Sequence, residues 1–197
     1  MAVIYFDSSA LVKLLVQDVG SDLAAELWDG CDAAVASRLA YPEVRAALAA
    51  AARNRDLDSD GLAAAEQAWE EYWPATRPVE LTRPVERHAG QLAAQYALRG
   101  ADAVHLASAL ALSDPGLIIT AWDRRLRAGA SAAGLAVAPG EPGSATSRSP
   151  RNQPPPRNHL AHRSRPPGGG SGYSPPPCAR RWPPRASVRS PSPARSG

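Results

Sequence analysis

Short apolar segments alternate with helical segments through the first 138 residues of the chain. The clearest apolar segments are residues 3–6 and 117–120, which are rich in the β-branched and aromatic residues that favour strands. The longest helical segment, residues 38–53, is rich in alanine. Strands that alternate with helices favour a parallel sheet covered by helices on both faces. The sequence therefore predicts an α/β fold around a mainly parallel sheet.

The composition of the chain changes abruptly after Ala138. Residues 139–197 contain 15 of the 20 prolines, seven glycines, ten arginines and one acidic residue, and they show no helical or strand periodicity. Such a segment cannot bury enough apolar surface to offset the entropy cost of becoming ordered. We predict a folded domain at residues 1–138 and a disordered Pro/Arg/Ser/Gly-rich tail at residues 139–197. Non-specific RNA binding by the tail, a functionless tail and a frameshifted origin are all compatible with this composition.

The formal net charge of +3 is the sum of two opposite charges. Residues 1–138 carry 12 basic and 18 acidic side chains, a net charge of −6, whereas the tail carries +9. A net acidic domain repels phosphate. A nucleic acid could therefore be its substrate only with the help of cations.

The cysteines and the hydropathy pattern indicate where the protein resides. Cys31 and Cys178 form neither a disulfide framework nor a paired metal-ligand motif. No apolar run reaches the roughly 18 residues that a membrane span requires. We expect a cytoplasmic protein that does not enter the membrane.

Four acidic residues lie at the ends of apolar segments, and they are Asp7, Glu43, Asp102 and Asp123. Asp7 and Asp123 follow predicted strands, and the other two lie in the first turns of predicted helices. Ligands of open parallel sheets bind beyond the carboxyl ends of the strands, where these residues would meet. Taken singly, Asp7, Asp102 and Asp123 are explained as well by positions at helix N-termini, which attract carboxylates. Glu43 is less easily explained in this way, although it could be a solvated residue on the helix face. Together they predict an all-oxygen site of the kind that Mg²⁺ or Mn²⁺ prefers.

Each of these acids belongs to a longer motif. The motifs are YFDSSALVK at residues 5–13, SRLAYPEV at 37–44, RGADAVHLASA at 99–109 and ITAWDRRL at 119–126. In order and spacing they resemble the PIN domain family and, within it, the VapC-type ribonuclease toxins of bacterial type II toxin–antitoxin systems. The resemblance covers most of residues 2–138, and the tail has no counterpart in the family pattern.

The resemblance implies a three-layer α/β/α sandwich and a Mg²⁺-dependent endoribonuclease. Carried over residue by residue, Asp7 and Asp102 are the principal metal ligands, and Glu43 and Asp123 complete the acidic cluster. The bound metal would activate a water and polarise the phosphoryl group of RNA. The implied partner is a small antitoxin that inserts a basic side chain into the acidic cleft. We also expect a homodimer.

Several further side chains adjoin the acids. Ser9, Arg99, Thr120 and Arg124 could contact phosphate, although capping, turn formation or solvation explains each of them as well. His105 follows Asp102 by three residues, and we interpret it as a packed core histidine in preference to a general base.

Two other functional classes share parts of this pattern. Haloacid-dehalogenase phosphatases use an aspartate nucleophile after the first strand, but they require a second aspartate where this chain has Ser9. A receiver domain needs a late lysine, and Lys13 is the only lysine in the chain. A non-catalytic PIN-like binding module would keep the fold, but the presence of all four acids argues against it.

Overall fold

The computed structural model describes residues 2–140 and the backbone of residues 186 and 187. The strands within this part are β1 (Val3–Phe6), β2 (Val16–Gln17), β3 (Ala33–Ser37), β4 (Arg77–Val79), β5 (Ile118–Thr120), β6 (Ala136–Ala138) and β7 (Ala186–Ser187). The α-helices are α1 (Ser8–Leu15), α2 (Ser21–Asp29), α3 (Ala40–Arg53), α4 (Ser59–Tyr72), α5 (Arg83–Tyr96), α6 (Gly100–Leu110) and α7 (Arg124–Ala132). Strand and helix alternate as predicted.

Five of the strands form one parallel sheet in the order β4-β3-β1-β5-β6. The central strand β1 pairs with β3 on one side and with β5 on the other, so that Tyr5 is flanked by Val35 and Ile119. The chain runs outwards from β1 to β4 before it returns to β5 and β6. Strand order therefore reverses at β1, which is where open α/β sheets bind their ligands.

A hydrophobic core lies on each face of the sheet. Because successive strand residues point to opposite faces, Phe6 belongs to one core and Tyr5 to the other. The Phe6 core packs against residues of helices α1 to α4, including Trp28 and Trp69. The Tyr5 core packs against helices α5 to α7. These layers confirm the predicted α/β/α sandwich.

The main differences from the sequence-based expectation concern very short elements. The two-residue strands β2 and β7 pair in parallel, in the register Val16 to Ala186 and Gln17 to Ser187. Neither strand was predicted, because two residues have no periodicity to detect. Apart from residues 139, 140, 186 and 187, the tail lies outside the described residues, and its predicted disorder stays a prediction there. None of the helices in the described part of the chain has the length and apolarity required to cross a membrane.

Candidate active site

Asp7 stands directly after the central strand and begins helix α1. Its carboxylate accepts a hydrogen bond from the Ala10 N–H at 2.8 Å, which is the N-cap geometry, and bonds from the Ser9 hydroxyl at 2.7 and 3.0 Å. Only 4% of the residue is exposed. Burial raises the pKa of Asp7 to about 6, against the lowering effects of His105 and of the hydrogen bond from Ser9. Asp7 is therefore an acid held in an environment that disfavours its charge.

Ser9 connects this acid to the neighbouring strand end. Its hydroxyl donates to Asp7 and accepts a hydrogen bond of 2.7 Å from the backbone N–H of Trp122, which follows β5. The backbone N–H of Asp7 donates to the carbonyl of Thr120 at 3.1 Å. The ends of β1 and β5 are thus joined around the Asp7 carboxylate, and Ser9 supports that carboxylate directly.

Glu43 lies in the first turn of α3 and meets two side chains from other helices. Its Oε2 accepts a hydrogen bond from the Ser8 hydroxyl at 2.5 Å and lies 2.7 Å from Nε2 of His105. Burial alone would raise the pKa of Glu43, but the hydrogen bonds from His105 and Ser8 outweigh it and lower that pKa. Glu43 is therefore ionised, and one of its two carboxylate oxygens is held by Ser8 and His105.

Asp102 and Asp123 form a second interacting pair of acids, at the starts of α6 and α7. Asp102 lies in the first turn of α6, where burial first, and then the charge of Asp123, raise its pKa. Its Oδ2 is buried and has no hydrogen-bond partner within residues 2–140. Asp123 caps α7 by accepting from the N–H groups of Arg125 at 2.8 Å and Leu126 at 3.0 Å. A buried carboxylate oxygen without a partner is costly, so Asp102 lacks a purely structural explanation.

Electrostatic interactions link all four acids. Asp7 interacts with Glu43, Asp102 with Asp123, and His105 interacts with Asp7, Glu43 and Asp102. Oxygen donors of this kind fit a hard divalent cation, and such a cation would offset both the buried charge of Asp7 and the unpaired oxygen of Asp102. However, no three His, Cys, Asp or Glu side chains of the described residues are close enough together to hold a metal ion. The carboxylate oxygens are therefore the type of ligand that Mg²⁺ prefers, but in this structure they are too far apart to bind one ion together.

The remaining predicted residues fall into two groups. Arg99 and Arg124 are exposed at the starts of α6 and α7, next to Asp102 and Asp123 respectively. Thr120 is fully buried at the end of β5, and its hydroxyl has no hydrogen-bond partner among the described residues. The two arginines are therefore open to a ligand, whereas Thr120 lies beneath the surface.

His105 makes more contacts with the site than the sequence predicted. His105 is buried, as expected for a packed histidine, yet it also bonds Glu43 on one ring nitrogen and the hydroxyl of Tyr5 on the other. Tyr5 was not among the predicted site residues. A signal was available, because a tyrosine inside a buried strand needs a partner for its hydroxyl.

Comparison with known proteins places these features in a family. Residues 4–130 match the PIN domain. Two ribonucleases of Mycobacterium tuberculosis, VapC45 of strain CDC 1551 / Oshkosh and VapC49 of strain H37Rv, are each 68% identical over 141 residues, which are 72% of this chain and 98% of the relative. Ribonuclease VapC46 of strain H37Rv is 36% identical over 141 residues, covering 70% of this chain and 97% of the relative.

Solved structures agree at the level of the fold. PAE2754 from Pyrobaculum aerophilum superposes with a TM-score of 0.51 at 21% identity, over 69% of this chain and 89% of the other. FitAcB from Neisseria gonorrhoeae superposes with a TM-score of 0.52 at 20% identity, over 68% of this chain and 95% of the other. The chain belongs to the PIN domain family and, within it, to the VapC ribonucleases.

Proposed function

We propose that this chain is the toxin of a type II toxin–antitoxin system, an endoribonuclease that hydrolyses RNA phosphodiester bonds with the help of Mg²⁺ or Mn²⁺. One observation carries the proposal. In a chain that is 68% identical to two VapC ribonucleases, four carboxylates are electrostatically linked, and one of them, Asp7, directly follows β1, where the strand order of the sheet reverses. That is the place where a parallel α/β fold binds its ligands.

Asp7 and Asp102 would be the principal metal ligands, with Glu43 and Asp123 completing the set. The buried charge of Asp7 and the unpartnered Oδ2 of Asp102 support this assignment, because a divalent cation would stabilise both. When bound, the cation would supply an activated water and neutralise charge on the phosphoryl group. The chain itself holds the carboxylates in place through Ser8, Ser9 and His105.

Substrate attraction must overcome the charge of −6 on residues 1–138. Arg99 and Arg124 are exposed at the starts of α6 and α7, near Asp102 and Asp123, and their proposed role is to contact RNA phosphates. Neutral substitution of either arginine should weaken RNA binding similarly for all sequences, because phosphate contacts carry no base information.

The acidic site also indicates which kind of partner protein would bind there. A cleft with several carboxylates attracts an arginine or lysine side chain, and a small antitoxin that inserts one would compete with the metal. We further propose that the protein is a homodimer. A cytoplasmic location is in line with its cysteine content.

The test is cleavage of RNA by the purified full chain in Mg²⁺, in Mn²⁺ and in EDTA, together with Asp102→Asn. We expect cleavage with either metal, none in EDTA and a severe loss in the variant. Equal cleavage by both proteins in EDTA would refute a metal-dependent mechanism. Tight antitoxin binding without cleavage of any RNA in either metal would instead establish a non-catalytic binding module.

A further inference from the structure

A chain of polar side chains runs from the acidic site into the core of the sheet. It begins at Glu43 on α3, passes through His105 on α6 and ends at Tyr5 in the central strand β1. His105 is 3% exposed and Tyr5 is fully buried. The last two residues are separated by 100 positions in sequence, so their meeting is a property of the fold and not of a local motif.

Both ring nitrogens of His105 are engaged by side chains. Nε2 lies 2.7 Å from the Glu43 Oε2, and Nδ1 lies 3.0 Å from the Tyr5 hydroxyl. The Tyr5 ring meets the imidazole edge-on, with centroids 6.0 Å apart and an interplanar angle of 81°. The imidazole is therefore fixed in both position and orientation.

The chemistry of Glu43 determines the direction of the hydrogen bond. An ionised carboxylate can only accept, so Nε2 must carry the proton and donate it. This holds whether the ring is neutral or charged. The Ser8 hydroxyl donates to the same Oε2 at 2.5 Å, so this oxygen of Glu43 accepts hydrogen bonds from two donors.

We infer, on the basis of the proposed function, that His105 is a positioning residue that holds the Glu43 carboxylate in the acidic site, and that the Tyr5 hydroxyl orients the His105 ring. Glutamate has several side-chain torsions, and fixing them costs conformational entropy. A rigid donor anchored in the core limits that freedom before the cation arrives. Outer partners that orient ligands in this way typically change metal affinity or activity by about tenfold to a hundredfold.

Four variants of the full chain test this inference, with Mn²⁺ affinity measured by titration calorimetry and RNA cleavage measured in parallel. His105→Leu removes the donor and should weaken Mn²⁺ binding about tenfold or more, with a similar loss of kcat. His105→Gln keeps an N–H near the position of Nε2 and should recover most of that loss. Tyr5→Phe removes only the hydroxyl and should have a smaller effect of the same kind. His88→Leu, on α5 outside this network, is the matched control.

A further variant, Glu43→Gln, tests whether His105 acts through Glu43. Both His105→Leu and Tyr5→Phe should have no further effect on Mn²⁺ affinity in the Glu43→Gln background. Additive effects in that background, or equal losses for the Gln and Leu variants, would overturn the inference and leave His105 as a packing residue. Circular dichroism checks folding, and the Tyr5→Phe cycle decides the matter if His105→Leu does not fold.

The outcome is separable from that of the proposed function. A wild-type chain that neither binds Mn²⁺ nor cleaves RNA contradicts the proposed function itself. A wild-type chain that does both, together with a His105→Leu variant that equals it, contradicts only the positioning role.

Discussion

The starts of helices α1 and α4 have the same local structure in two different surroundings. Asp7 caps α1 with φ −77° and ψ 174° and accepts from the Ala10 N–H at 2.8 Å. Asp58 caps α4 with φ −81° and ψ 178° and accepts from the Gly61 N–H at 2.9 Å. Yet Asp7 is 4% exposed, whereas Asp58 is exposed to solvent.

The difference teaches what capping does and does not explain. Asp58 shows that the cap forms at the surface without any burial of charge. Burying the same carboxylate at Asp7 adds a desolvation cost, which raises its pKa to about 6, and gains nothing for the cap. Helix capping therefore accounts for Asp58 but not for the burial of Asp7, whereas the proposed role of Asp7 as a cation ligand would account for it.

The largest effect expected from this comparison is on pH-dependent stability without metal. The folded-state pKa of Asp7, about 6, exceeds the ordinary value of 3.8, so the folded state binds this proton more tightly than the unfolded state does. The stability that the proton contributes is complete below pH 3.8 and is lost as the pH rises through 6. Asp7→Asn avoids this loss and keeps a good cap. Urea unfolding in EDTA should show the variant more stable than wild type by about 3 kcal/mol at pH 8 and nearly equal to it at pH 4.

Asp58→Asn is the matched control for that measurement. Its side chain is exposed, and asparagine caps about as well as aspartate. We expect a change below about 0.5 kcal/mol at either pH. A wild-type chain whose stability does not fall relative to Asp7→Asn between pH 4 and pH 8 would show that Asp7 is not buried as described.

The second expected effect is on cation affinity. If Asp7 and Asp102 hold the cation, replacing either by asparagine should weaken Mn²⁺ binding by roughly tenfold to a hundredfold, because a charged oxygen donor is lost. Asp58→Asn should bind as wild type does. Titration calorimetry in chelator-free buffer measures this, and equal affinities for all three variants would mean that cation binding does not explain the burial of Asp7.

The smallest expected effect concerns Ser9, which has no counterpart beside Asp58. Ser9→Ala removes the hydroxyl that donates to Asp7 and accepts from the Trp122 N–H. A hydrogen bond to a charged group contributes about 1.5 to 3 kcal/mol, and water can replace part of it at this half-buried position. We expect a loss of about 1 to 2 kcal/mol in urea unfolding at pH 8, whereas Ser59→Ala in the first turn of α4 should cost less. Similar values for the two variants would mean that Ser9 does not support Asp7.

The sequence was informative where the signals were local. Residues 3–6 and 117–120 predicted β1 and most of β5, because apolar β-branched runs mark buried strands. The motifs predicted that all four acids would lie at one edge of the sheet, and the structure shows electrostatic interactions that link them. The contacts of His105 could not be predicted, because they join residues from α3, α6 and β1 that meet only after folding. The spacing of the four acids in sequence also could not give the distances between them. Among the described residues, no three His, Cys, Asp or Glu side chains are close enough together to hold a metal ion.

The most direct test of whether Asp7 binds the metal compares Asp7→Asn with Asp58→Asn in one assay. RNA cleavage by the full chain in Mg²⁺ should fall by a factor on the order of 10² to 10³ in Asp7→Asn, the typical cost of losing one electrostatic group that stabilises a transition state. Cleavage by Asp58→Asn should match wild type. If both variants cleave RNA as fast as wild type, Asp7 is only a helix cap, and the account of the active site is wrong.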